Sequence, residues 1–300
     1  MTATPSRFTG VIVPLVTPTR DDGSLALEVL PQLLDFLLNA GVAGVVVAGT
    51  TGEGYALDMD ERALLLHSAV DAVGGRVPVL AGVGGTSTRE AQAQAQLACA
   101  AGVHGLMIAA PAYCLPTGHE LGEHVLQVLS ATSLPTVLYD YPERTGVQFG
   151  VDALDLLVGN PLVVGIKEAS GDLSRIAMLH ARYGDDLALV SGSDLLAMHY
   201  FESGSDCWIA GFANALPAEH VAMLAAAQRG DIAEGWGMQN SLEPILTALE
   251  RDHYVARTRF ALSARGISVG PPRAPLLPLG ADDSQAMTAH LVALGHLASP

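Results

Sequence analysis

Val163-Val164-Gly165-Ile166-Lys167-Glu168-Ala169-Ser170-Gly171-Asp172 holds two signals in ten residues. The first half is an apolar, strand-like run that ends on a charged side chain. The second half offers Ser170 and Asp172 ahead of Leu173, and such side-chain oxygens accept from the free N–H groups of a helix's first turn. Strand, polar corner, helix: this is the unit from which parallel sheets are built, since a crossover must return the chain to the same end of the sheet. Lys167 is also the only lysine in the chain, every other basic side chain being arginine. Drift of composition towards arginine and alanine explains the scarcity of lysine but not the position that survives. A guanidinium forms no stable imine with a carbonyl compound, whereas a desolvated primary amine does.

Working outward, runs of the same kind occur at Gly10–Thr17, Gly44–Gly49, Val77–Gly82, Gly105–Ala110, Thr136–Tyr141, Ala188–Ser191 and Cys207–Gly211. They recur at roughly the spacing of a βα unit, about 20–35 residues. Most lack polar alternation, as strands covered on both faces do. Helical patterns separate them: Leu27–Ala40, with Leu30, Leu33, Leu34, Leu37 and Leu38 at helical spacing, and Asp58–Val73, opened by Asp58 with Glu61. Ser87 or Thr88 ahead of Glu90 opens another. Eight such units with right-handed crossovers predict an α/β fold, a (β/α)8 barrel. An open doubly wound sheet is the alternative, but no Gly-x-Gly-x-x-Gly turn follows the first strand. After the eighth run the chain reads as helical at Ala218–Arg229, Asp231–Arg251, Tyr254–Arg265 and Asp283–Leu297, broken by the turn-rich Gly270-Pro271-Pro272-Arg273-Ala274-Pro275. Residues 1–230 are thus assigned to the barrel and 231–300 to a helical C-terminal extension packed on it.

Composition narrows the function. A net charge of −16 and a pI near 4.8 argue against nucleic acid and against an anionic membrane surface, both of which need clustered Lys and Arg. An anionic small substrate is compatible, because one arginine can dominate a pocket. No apolar run approaches the ~18 residues of a membrane span. Met1 to Gly10 lacks the basic and apolar regions of a signal peptide. Cys99, Cys114 and Cys207 are odd in number and widely spaced, which points to thiols in a reducing cytoplasm.

In such a barrel chemistry sits at the C-terminal strand ends. Those positions hold Gly49-Thr50-Thr51-Gly52-Glu53-Gly54, then Pro111-Ala112-Tyr113, then Tyr139-Asp140-Tyr141-Pro142-Glu143-Arg144-Thr145-Gly146, then Lys167, then Ser191-Gly192-Ser193-Asp194. A lysine amine, tyrosine and threonine hydroxyls and an arginine are expected to share one mouth. No His/Asp/Glu cluster joins them, so neither a metal nor another cofactor is expected. Separately, a Thr-Thr pair between glycines is an ordinary turn, and a strand-end tyrosine is an ordinary packing residue. Their convergence is what points to a site.

With these motifs in view, the chain resembles the pyruvate-dependent class I aldolases that include dihydrodipicolinate synthase and N-acetylneuraminate lyase. The resemblance rests on Gly49-Thr50-Thr51-Gly52-Glu53, Tyr139-x-x-Pro142-x-Arg144-Thr145-Gly146 and Gly165-Ile166-Lys167-Glu168-Ala169-Ser170-Gly171-Asp172, and spans roughly residues 10 to 214. It implies that Lys167 forms an imine with pyruvate, that Tyr139 shuttles the proton, and that Thr50 and Tyr113 extend a hydroxyl relay, Tyr113 reaching in from an adjacent subunit. It further implies that Thr50 and Thr51 hold the pyruvate carboxylate, that the carbonyls of Gly192 and Ile209 add contacts, and that Arg144 clamps the second substrate's carboxylate. A homotetramer built from tight dimers is the implied assembly.

The departures bear on the substrate. Ala112 and Cys114 flank Tyr113 where the synthase branch has Tyr and Asn, and Asp140 stands where asparagine is common. Tyr55 brings a second phenol towards the pocket. Met59, Arg62 and Thr86 argue against feedback inhibition by lysine. Arg144 favours condensation of pyruvate with aspartate semialdehyde. Tyr55, Ala112 and Asp140 favour a different aldehyde, as in an aldolase or dehydratase of 2-keto-3-deoxy sugar acids, or an N-acetylneuraminate lyase-like enzyme. The synthase reading is carried forward; a non-catalytic barrel that binds a keto acid is the reading from another class.

Overall fold

The eight apolar runs form eight parallel strands in the computed structural model, which describes residues 8–298. They are β1 (Gly10–Pro14), β2 (Gly44–Val47), β3 (Val79–Val83), β4 (Gly105–Ala109), β5 (Thr136–Asp140), β6 (Val163–Glu168), β7 (Ala188–Ser191) and β8 (Cys207–Ile209). Each pairs with its neighbour in sequence, and β8 returns to β1 with Gly10 opposite Cys207 and Ile12 opposite Ile209. The sheet is therefore the closed barrel, not the open alternative. Several strands are shorter than the apolar runs. β2 stops at Val47 because Ala48 turns left-handed (φ 56°), which no strand accommodates, and β1 and β8 give up their last residues to the rim. Met1 to Arg7, which carry most of the signal-peptide reading, lie outside the described residues. Among the described residues no helix is long and apolar enough to cross a membrane.

Side chains alternate between two cores. Ile12, Val46, Leu80, Met107 and Val137 fill the barrel interior, while Val11, Val45, Val47, Leu106 and Ile108 face the surrounding helices. The first half of the helical layer is α1 (Leu30–Asn39), α2 (Met59–Val73), α3 (Thr88–Ala100), α4 (Gly118–Leu129), α5 (Pro142–Thr145) and α6 (Val151–Leu157). The second is α7 (Leu173–Tyr183), α8 (Ala197–Glu202) and α9 (Pro217–Gln228). On α1, Leu33, Leu34 and Leu37 are fully buried, each contributing about 1.5–3 kcal/mol. The cap signals act as read: Asp58 accepts from the Glu61 N–H at 2.8 Å and Glu61 accepts in return from the Asp58 N–H at 3.3 Å. Ser87 rather than Thr88 caps α3, and Asp172 caps α7 through the Ser174 N–H.

Beyond α9 the chain forms α10 (Ile232–Arg251), α11 (Tyr254–Ala264) and α12 (Ala281–Ala293). α10 lies against α8 and α9, and α12 against α10 and α11. α11 lies beside the β8 end of the barrel, which brings its first turn to the barrel mouth.

Candidate active site

Lys167 faces the barrel interior because β6 carries a bulge. Thr136 pairs with Val163 and Val137 with Gly165, so Val164 is left unpaired. Val164 packs with the inner cluster, but Ile166 packs with the outer one. In an unbroken strand these two residues would share a face. The extra residue resets the alternation, and Lys167 then points inward, 5% exposed. Burial draws its pKa from 10.5 down to about 8, while the charge of Asp194 pulls it back up.

Tyr139 stands opposite Lys167 in the β5–β6 register, and the Lys167 Nζ lies 4.1 Å from its ring centroid. Burial raises the Tyr139 pKa, so the phenol keeps its proton, and Thr50 lines the same cavity. Thr50 and Thr51 sit in a turn closed by the Glu53 N–H on the Thr50 carbonyl (3.1 Å) and the Gly54 N–H on the Gly49 carbonyl (2.9 Å). Gly54 has no alternative there, since a Cβ would overlap the Ala48 carbonyl. These residues open on a cavity of about 520 Å³ at the C-terminal end of the barrel. Gly192 and Ile209 line it as well, and Arg144 lies at its rim with its guanidinium 5.3 Å from the Tyr141 ring centroid.

Of the sequence-predicted residues, Lys167, Tyr139, Thr50, Thr51, Arg144, Gly192 and Ile209 meet around this one cavity. Tyr113 does not. It is 94% exposed, with a left-handed backbone (φ 73°), and lies outside the cavity of its own chain. Tyr55 is likewise exposed and does not line the cavity. Asp140 does not shape the cavity either, contrary to its reading as a sign of a remodelled pocket. Its side chain points out of the barrel, where it accepts from the Phe149 N–H at 3.0 Å and pairs with Arg175 at 2.5 Å. Burial still lifts its pKa to about 6, against the pull of Arg175. Glu168, next to Lys167, joins the same frame: it accepts from the Ser170 N–H at 2.9 Å and from the Tyr200 hydroxyl. The residues after Tyr139 and Lys167 thus anchor both strands from behind.

Two site residues escaped the sequence reading. Asp194 was visible at a strand end but not singled out. It is 4% exposed; Oδ2 accepts from the Phe212 N–H at 2.8 Å, and Oδ1 has no hydrogen-bond partner. Tyr254 gave no signal at all, because it comes from α11 rather than from a strand end, yet it lines the cavity. The same helix supplies Arg259, which donates to Glu53 Oε1 (Nε at 2.9 Å) and to the Thr17 carbonyl. Glu53 Oε2 accepts from the Arg273 N–H at 2.8 Å. Glu53 is thereby held at φ 52°, and the Thr50–Glu53 turn with it. Among the described residues no group of three His, Cys, Asp or Glu side chains is placed to hold a metal ion.

Residues 7–294 match the model of the dihydrodipicolinate synthetase family. The 4-hydroxy-tetrahydrodipicolinate synthase of Xanthomonas axonopodis pv. citri is 38% identical over 297 residues, covering 97% of each chain. A second synthase, from Streptomyces coelicolor, is 34% identical over 295 residues, 98% of each. Among solved structures, the chloride-inhibited dihydrodipicolinate synthase of Acinetobacter baumannii complexed with pyruvate superposes with a TM-score of 0.93 at 30% identity, covering 97% of this chain and 100% of that one. The likeness extends well past residue 214 and takes in the C-terminal helices.

Proposed function

This chain belongs to the dihydrodipicolinate synthetase family, and from that premise we propose that it condenses pyruvate with aspartate semialdehyde through an imine on Lys167. The observation that carries the reading is the buried amine, whose pKa of about 8 leaves a usable share neutral near pH 7. The neutral Nζ adds to the pyruvate ketone, and loss of water gives a protonated imine. This cation draws electrons from the methyl group, one methyl proton leaves, and the resulting enamine adds through carbon to the aldehyde. Tyr139, beside the Nζ and sharing the cavity with Thr50, moves protons to and from the departing water and the new alkoxide. Thr50 and Thr51 receive the pyruvate carboxylate, with the Gly192 and Ile209 carbonyls as further contacts. Arg144, at the rim, holds the carboxylate of the second substrate.

The remaining roles follow the family resemblance. Tyr113, exposed on its own chain, serves the site of an adjacent subunit in a homotetramer. The acidic chain works in the cytoplasm. Residues 1–230 form the barrel that carries the imine chemistry, and the helical 231–300 packs on it, bracing the Thr50–Glu53 turn through Arg259 and lining one side of the cavity with Tyr254. Borohydride reduction in the presence of pyruvate tests the core of the reading. It is expected to add one reduced adduct, on the peptide that contains Lys167. An unmodified protein refutes the imine, and turnover of a 2-keto-3-deoxy sugar acid more than about a hundredfold above that of aspartate semialdehyde (~2.7 kcal/mol) refutes the substrate.

A further inference from the structure

We propose that Arg257 is a positioning residue for the second substrate, holding in place the corner between α10 and α11 that walls the cavity mouth. The inference rests on the imine reading above and concerns what meets the aldehyde. Five consecutive residues, Glu250 to Tyr254, line the cavity and form the wall that α10 and α11 contribute. Lys167 is buried at the strand ends, whereas Glu250, Arg251, Asp252 and His253 are exposed. The corner therefore faces the open side, where the second reactant arrives once pyruvate is tethered below.

Such a corner does not hold itself. α10 ends at Arg251 and α11 begins at Tyr254, so the turn falls on Asp252 and His253 alone. Neither is the glycine that most easily leads a chain out of a helix. His253 adopts φ 50°, a left-handed conformation that its Cβ resists. The last carbonyls of α10 also lack a partner inside the helix. Arg257 answers both needs with one guanidinium. Nη1 donates to the Ala248 carbonyl in that last turn, and Nη2 lies 2.7 Å from Asp252 Oδ1 in the corner itself. Nη2 also donates to Asp283 Oδ1, in the first turn of α12, at 2.8 Å. Arg257 is 6% exposed, so these contacts are made from within the packed helices. Its planar fork fixes their relative positions, which a single-point ammonium would not. Neither Arg257 nor Asp283 lines the cavity. Both reach the substrate only through the placement of the corner.

The experiment compares two readouts in each variant: the pyruvate concentration that half-saturates borohydride trapping of Lys167, and KM and kcat for aspartate semialdehyde at saturating pyruvate. Arg257→Ala is expected to raise that KM about tenfold (~1.4 kcal/mol). Its kcat and its half-saturation by pyruvate are expected to stay within about threefold of wild type. Asp283→Asn keeps the side chain's shape, removes one half-exposed anion on α12 and is expected to raise KM about threefold. Joined to Arg257→Ala it adds nothing further, because its path to the corner runs through the guanidinium. A KM unchanged in both single variants, an equal loss of pyruvate capture, or a double variant worse than Arg257→Ala alone overturns the proposal. If Arg257→Ala does not fold, Asp283→Asn decides: an unshifted KM there overturns it. A wild-type protein that pyruvate and borohydride leave unmodified overturns the imine reading and this inference with it. A trapped wild type that does not turn over aspartate semialdehyde overturns the substrate reading, and the same KM comparison is then made with a 2-keto-3-deoxy sugar acid. A trapped, active wild type with unshifted variants overturns the inference alone.

Discussion

Asp194→Asn tests the electrostatics on which imine formation depends. Two opposed effects act on Lys167: burial favours the neutral amine, and the Asp194 carboxylate favours the ammonium ion. The result is a pKa of about 8 against the ordinary 10.5. At pH 7 a group with that pKa is roughly 9% neutral, against roughly 0.03% for an unperturbed lysine, a gain of about 300-fold in nucleophile. The sign follows from the proton. Below the pKa each further pH unit multiplies the neutral fraction by about ten, and above it the fraction saturates. The second-order rate of pyruvate-dependent trapping is therefore expected to climb with pH and level off near pH 8. Asn at position 194 keeps an oxygen for the Phe212 N–H but removes the anion. The ammonium form loses its support, the pKa falls further, and the plateau begins at lower pH. A wild-type midpoint near 10, or a midpoint that moves up in Asp194→Asn, refutes this account of the amine.

Two substitutions separate the roles of the arginines. Arg144→Ala is expected to raise the KM for the aldehyde on the order of a hundredfold, from loss of a charged hydrogen bond of about 2–3 kcal/mol, and to leave pyruvate trapping unchanged; parallel loss of trapping rejects its assignment to the second substrate. Arg259→Ala strands the buried Glu53 carboxylate, and urea denaturation is expected to show a loss of about 3–5 kcal/mol; a change below about 1 kcal/mol means that Glu53 is solvated or re-paired.

The barrel was legible in the sequence because a parallel strand buried on both faces leaves a run of β-branched residues, and eight such runs admit few topologies. The strand-end motifs of Thr50, Tyr139 and Lys167 were legible for the same reason: a barrel sends its strand ends to one rim. Strand limits were less so, since hydrophobicity continues through Gly49 while the Ala48 backbone has already turned. Asp140 shows the opposite failure. In the sequence Asp140, beside Tyr139, reads as a sign of a remodelled pocket, but successive strand residues point to opposite faces, and Asp140 pairs with Arg175 behind the sheet. Tyr254 could not be read from strand ends because its place depends on how α11 docks, a long-range packing outcome that no local pattern encodes.

The inward aim of Lys167 is the sharpest case. Val164 faces inward, and alternation counted from it along Val163–Glu168 sends Gly165 out, Ile166 in and Lys167 out, into the layer between sheet and helices. An amine there would meet Ile166's neighbours on the outer core rather than the cavity. The structure avoids this with one unpaired residue opposite the Thr136–Val137 step. Gly165 sits at the bulge, where a side chain would press against Ala188 of β7, its Cβ falling 2.8 Å from the Ala188 carbonyl oxygen. The apolar run that marks β6 and the bulge that gives it a function are thus separate properties of the same six residues. Periodicity reveals the first, and only pairing with β5 and β7 reveals the second.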